Sequence, residues 1–165
     1  RASLADFADD FSVVLVDNSS RSLLITGLTW TGKTQLAVAL LRVFTLLDFG
    51  CRFVIARELF REIRDTYRDD AKASETDVVN KLCEHDVLVI DDLAREGGFR
   101  GRQSSEHVLS TLHEILSKRN GYFRRTIVTT NLTPAEIAEQ YDGSVASRMA
   151  GWKTVVMTGE DRRRA

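Results

Sequence analysis

The sequence predicts an α/β fold of three layers, α/β/α, with helices on both faces of a central, mostly parallel five-stranded sheet. Three observations carry this. Short apolar runs alternate with segments of helical periodicity along most of the chain, the order that builds a layered sheet. Val87-Leu88-Val89-Ile90 is apolar without a break, as a parallel strand covered on both faces requires. Gly27 to Thr34 reads GLTWTGKT, a phosphate-binding loop of the form G-x-x-x-x-G-K-[ST], set between an apolar run and a helical one as a P-loop nucleotide fold demands.

In chain order, Ala2 to Val16 reads as a helix with Ser3 as N-cap, although Ser12 to Val16 suits an extended segment equally well. Asp17 to Ser20 is a turn cluster. Leu23 to Thr26 is the strand that enters the glycine loop. Gln35 to Leu47 is the helix that leaves it, with Leu36, Ala39, Leu40, Val43, Leu46 and Leu47 at helical spacing. Cys51 to Ala56 forms a second strand. Arg57 to Arg68 forms an amphipathic helix with Leu59, Phe60 and Ile63 inward and Arg61, Arg64 and Arg68 outward. Ser74 caps a short helix through Cys83, with Asp77 at the N3 position. Val87 to Ile90 is the third strand, and a loop rich in glycine and arginine, Leu93 to Gln103, follows. A long helix runs from Ser104 or Ser105 to Arg119 and stops at Asn120-Gly121. Thr126 to Thr130 is the fourth strand. Thr133-Pro134-Ala135-Glu136 is a capping box with proline at the first helical position, opening a helix to about Tyr141. Ser144 to Met149 is a short helix and Thr154 to Met157 the last strand.

The length of 165 residues suits one domain with a proper core. A net charge of −1 gives no global nucleic-acid signature, but 18 of the 23 basic residues are arginine. Arginine favours bidentate phosphate contacts, so local patches carry more meaning than the total. Cys51 and Cys83 lack metal-type spacing and are expected as a reduced pair, hence a cytoplasmic protein. His85, His107 and His113 form no ligand group. No apolar run approaches membrane-spanning length, so no membrane partner is expected. Arg1 in place of methionine points to a piece of something longer.

The chemistry centres on the glycine loop. Gly27, Leu28, Thr29, Trp30, Thr31, Gly32, Lys33, Thr34 and Gln35 are expected to cradle ATP or ADP. Backbone N–H groups and a helix N-terminus face the phosphates. Lys33 brings a cation to the β- and γ-phosphates, and the Thr34 hydroxyl ligates Mg²⁺. Trp30 is the oddity, because its indole must turn away from the phosphates. Asp91 and Asp92 end the third strand; Asp91 is assigned to magnesium and Asp92 to activation of the attacking water. Asn131, at the tip of the fourth strand, is placed to reach that water. In-line phosphoryl transfer needs positioning and charge above all, and these are the side chains that supply both.

On GLTWTGKTQLA, VLVIDDL, TIVTTNLTP, the Ser147-Arg148-Met149 triplet and Gly159 to Arg163, the chain resembles the AAA+ ATPases. Within them it resembles the bacterial helicase-loader group of the DnaC and DnaI type, with the IstB-like transposition ATPases as close relatives. The resemblance runs from Leu23 to Arg163. It implies a single AAA+ domain over residues 1–165, lacking the N-terminal domain with which that group grips its helicase. It also implies the Walker A roles for Lys33 and Thr34, the Walker B roles for Asp91 and Asp92, and the sensor 1 role for Asn131. Arg148 matches the arginine finger, which acts on ATP held by a neighbouring subunit, and Arg163, beside the equally basic Arg162, the sensor 2 arginine. Arg57 to Cys83 resembles the insertion that lines a path for single-stranded DNA in these assemblies.

The expected activity is magnesium-dependent ATP hydrolysis that requires assembly into a homo-oligomer. The expected role is loading a replicative DNA helicase onto single-stranded DNA at replication initiation. Arg61, Arg64 and Arg68, with Arg95, Arg100 and Arg102 near Phe99, are the arginines expected to meet that DNA, phosphate contacts beside an aromatic for base stacking. Two other readings are open: an IstB-like ATPase acting on target DNA with a transposase, and an ATP-dependent protein adaptor with weak hydrolysis.

Overall fold

The computed structural model describes residues 22–68, 70–71, 73–93 and 106–158. The helix expected over Ala2 to Val16, most of the loop Leu93 to Gln103 with Arg95, Arg100 and Arg102, and the Arg162–Arg163 pair lie outside the described residues. Five strands, β1 (Leu23–Gly27), β2 (Cys51–Ile55), β3 (Val87–Asp91), β4 (Arg125–Thr130) and β5 (Lys153–Met157), form one sheet in the order β2-β3-β4-β1-β5. All of the pairings are parallel, so the sheet is wholly rather than mostly parallel. Parallel neighbours require crossovers, and six helices among the described residues supply them: α1 (Lys33–Leu46), α2 (Ala56–Asp65), α3 (Glu75–Cys83), α4 (Glu106–Gly121), α5 (Pro134–Gln140) and α6 (Asp142–Met149).

The period of two along a strand sorts the core into two layers. Leu23, Ile25, Val87, Val89 and Ile127 face α1, where they meet Leu36, Ala37, Leu40 and Phe44. Leu24, Leu88, Ile90 and Val128 face the other way, onto Leu59, Phe60 and Ile63 of α2, Val79 and Leu82 of α3 and Ile115 of α4. The central strands are therefore covered on both sides, as the unbroken apolar run of β3 predicts, and every residue of β3 is buried.

Element boundaries move by one to three residues from expectation: the helix expected to reach Arg68 ends at Asp65, and the one expected to stop at Asn120-Gly121 includes both residues. One helix face also turns out differently. Ala37 and Phe44 carry the inner face of α1, while Leu46 and Leu47 are exposed and Ala39 lies outside the core. Two residues beyond Phe44, the helix has turned about 200°, which points Leu46 away from the sheet. Both predicted capping boxes form: Ser74 with Asp77 on α3, and Thr133 with Glu136 on α5, where Pro134 takes the first turn. Cys51 and Cys83 are free thiols, and burial pushes the Cys83 thiol up. Among the described residues no helix is long and apolar enough to cross a membrane.

Candidate functional site

With this strand order, the loops that follow β1, β3 and β4 leave the carboxyl edge of the sheet side by side, where α/β proteins hold ligands. The first is the glycine loop, and two of its glycines are required by backbone geometry. Gly27 has φ 148°, and a Cβ there would lie 2.3 Å from the Met157 carbonyl oxygen of β5. Gly32, at φ 95°, is the N-cap of α1 in the left-handed region. The first turn of α1 carries no acidic residue, so its positive end is left for an anion.

Lys33 is buried at the base of the loop, and its Nζ donates to the carbonyls of Gly27 (3.0 Å) and Leu28 (2.7 Å). Burial pushes its ammonium down, while the carboxylates of Asp92 and Asp91 pull it back up. Thr34 Oγ1 donates to Asp91 Oδ1 at 2.9 Å, bringing the two residues assigned to magnesium into direct contact. Asp91 is buried and Asp92 exposed.

An open cleft of about 500 Å³ is bounded by Thr29, Trp30, Gly32, Lys33, Thr34, Gln35, Asp92, Thr129 and Asn131. That volume lies within the range of small-molecule sites. Most of the expected phosphate-loop residues thus meet Asp92 and Asn131 in one place. Gly27 and Leu28 contribute carbonyls to Lys33 instead of lining the cleft. The Thr31 side chain is buried and donates to the Leu28 carbonyl at 2.9 Å, so it shapes the loop. Trp30 stands at the rim, 47% exposed, and leaves the cleft open. Among the described residues no group of three or more His, Cys, Asp or Glu side chains is placed to hold a metal. The donor set of one hydroxyl and one carboxylate fits magnesium, which keeps several waters and takes its other ligands from phosphates.

The remaining expected residues lie elsewhere. Arg148, on α6, is exposed and does not line the cleft; its Nε donates to His113 Nε2 of α4 at 3.1 Å, and Asn120 Nδ2 donates to its carbonyl at 2.9 Å. Arg61, Arg64 and Arg68 are exposed on and just after α2, as expected. Arg61 faces Asp65 at 3.9 Å and Arg68 faces Asp70 at 3.5 Å. A second concavity of about 380 Å³ beside them is lined by Glu62, Asp65, Asp70 and Arg68 among others, a mixture of charges with no convergent chemistry.

Two residues escaped the sequence reading. Thr129 of β4 is buried against both acids, which only the pairing of β3 with β4 reveals. Arg119 of α4 is fully buried and donates to Thr126 Oγ1 and to the carbonyls of Leu82, His85, Asp86 and Arg125. Burial pushes its guanidinium down to about 10, which leaves it charged at neutral pH. In the sequence it looks like an ordinary basic residue of a last helical turn.

A parallel five-stranded sheet with a phosphate loop after β1, paired acids at the end of β3 and an asparagine after β4 defines an α/β P-loop NTPase fold of the AAA+ type. The sequence profile of the IstB-like ATP binding protein family matches residues 7–149, and the chain belongs to that family. Among curated proteins none matches. Among solved structures the chain is similar to a DNA replication initiation factor, with TM-score 0.76 and 16% identity over 98% of this chain and 47% of that one. It is also similar to AMPPCP-bound DnaA from Aquifex aeolicus, with TM-score 0.76 and 17% identity over 98% of this chain and 48% of that one. The DnaC helicase loader gives TM-score 0.71 and 21% identity over 94% of this chain and 89% of that one. The chain spans about half the length of the first two. At these identities the likeness is one of fold.

Proposed function

We propose that this domain hydrolyses ATP with magnesium and uses the cycle to place a ring-shaped replicative helicase on single-stranded DNA. The observation that carries the reading is the convergence of Lys33, Thr34, Asp92 and Asn131 on one cleft, with Asp91 bonded directly to Thr34. The loop N–H groups and the positive end of α1 bind the phosphates. Lys33 exchanges its two loop carbonyls for phosphate oxygens. Thr34 and Asp91 would hold magnesium, which when bound would neutralise charge on the phosphate oxygens. Asp92 accepts the proton of the attacking water, and Asn131 orients that water.

Arg148 is given to the nucleotide of an adjoining copy, which its exposure and its absence from the lining of its own cleft favour. Arg163 takes the role of the sensor 2 arginine. Arg61, Arg64, Arg68, Arg100 and Arg102 contact the DNA backbone. A helicase as the partner is favoured by the match to DnaC across nearly the whole of both chains. A second reading, an ATPase that acts on target DNA beside a transposase, is favoured by the family match itself.

Capture of purified replicative helicase, against capture of a transposase, separates these two. Steady-state ATP turnover with and without single-stranded DNA separates both from a protein adaptor with weak hydrolysis. Lys33→Ala is expected to weaken ATP binding at least about tenfold, the loss of one charged hydrogen bond. ATP binding unchanged in that variant would remove the cleft from consideration. DNA binding is expected to fall steeply with salt and to drop on replacing the five arginines.

A further inference from the structure

We propose that Thr129 is a positioning residue that fixes both acids of the site at once, a role that rests on the hydrolysis reading above. Val128 pairs with Ile90 in the β3–β4 register, so the next step along both strands brings Thr129 beside Asp91. Its hydroxyl donates to Asp91 Oδ1 at 2.6 Å and accepts from the Asp92 backbone N–H at 2.9 Å. One side chain therefore serves the carboxylate of one acid and the backbone of the next.

Each end of that arrangement has something to hold. Asp91 is buried, and its Oδ1 also accepts from Thr34; the two hydroxyls, one from α1 and one from β4, together fix the carboxylate's rotamer. Asp92 has φ 55°, a left-handed conformation uncommon for a residue other than glycine. This turn carries the chain out of β3 and sets the Asp92 side chain on the cleft. Directly beyond it, Leu93 N–H donates to the Thr129 carbonyl at 2.8 Å, and the Leu93 side chain is fully buried. The strained residue is thus held on one side by the Thr129 hydroxyl and on the other by the Thr129 backbone. Strain of this kind persists where the surroundings over-determine it.

Serine keeps the hydroxyl and valine keeps the shape, so the two variants separate chemistry from packing. In Thr129→Val, amide exchange followed by NMR on the ligand-free protein is expected to quicken about tenfold at Asp92. Leu93 should not change, because its partner is a backbone carbonyl. In the same variant kcat is expected to fall about tenfold or more with KM for ATP within about threefold, and Thr129→Ser to restore both. Equal acceleration at Asp92 and Leu93 would mean that the strand end has simply frayed, and would overturn the proposal. So would wild-type turnover in Thr129→Val, or a Thr129→Ser variant as impaired as the valine one. Quickened exchange at Asp92 alone, in a protein whose wild type turns over no ATP with magnesium, would uphold the hold on the acids and overturn the hydrolysis reading.

Discussion

Trp30 occupies the left-handed region at φ 68°, which costs a bulky side chain roughly 1–2 kcal/mol. The loop keeps that conformation because Gly32, Lys33 and Thr31 all bind its backbone or continue it into α1. The indole borders the cleft, whereas Trp152, the other tryptophan, packs against the core. ATP is therefore expected to change the tryptophan emission of the wild type, and Trp30→Phe to abolish that change. Emission that ignores ATP in a protein shown by calorimetry to bind it would place the indole away from the nucleotide. Arg119 makes a stronger energetic demand. All five guanidinium donors are spent on groups at the lower ends of β3 and β4 and the end of α3. Lysine cannot reproduce that fork. With two or more buried carbonyls left unmatched, Arg119→Lys is expected to lose about 3 kcal/mol, read as a lower urea midpoint with unchanged slope. A midpoint within error of the wild type would mean that water replaces the donors.

At the scale of the element, capping chemistry was legible because it is local. Ser74 and Asp77 are three residues apart, and so are Thr133 and Glu136; each pair satisfies its own helix N-terminus without help from the rest of the fold. The Ser74 backbone N–H and hydroxyl hold the Asp77 carboxyl below its ordinary value of 3.8. A folded value below the unfolded one means that the cap's contribution is present above 3.8 and is lost as the pH falls through the lowered folded value. Asp77→Asn is thus expected to be less stable than wild type near neutrality and to close the gap in acid, read from melting temperatures across that range. A gap that stayed constant with pH would deny the carboxylate its part. Helix faces were less legible. Leu46 and Leu47 continue an apolar pattern in sequence, yet both are exposed: the rotation of α1 carries Leu46 away from the sheet, and Leu47 lies just past the last residue of the helix.

At the scale of the molecule, the proposed finger does not line the cleft of its own chain. Arg148 is held on α6 by His113 and Asn120 of α4, two elements that pack behind the sheet. An isolated copy would then lack a transition-state charge that a neighbour supplies, a contribution worth several orders of magnitude where it has been measured in other phosphoryl-transfer sites. ATP turnover per chain is expected to rise with protein concentration. Arg148→Ala should keep ATP binding and lose that rise; equal turnover in mutant and wild type would exclude the finger.

What the sequence determined alone is whatever depends on neighbours along the chain. That covers the glycine loop with its strand and helix, the acids closing an apolar strand, the asparagine closing another, and both caps, because spacing over a few residues dictates their geometry. The tertiary structure alone decided that Thr129 sits against Asp91 and Asp92, that Arg119 is buried among carbonyls, and that Leu46 faces water. Those outcomes follow from which strand lies beside which and in what register, and the parallel order β2-β3-β4-β1-β5 joins residues tens of positions apart that no local pattern connects.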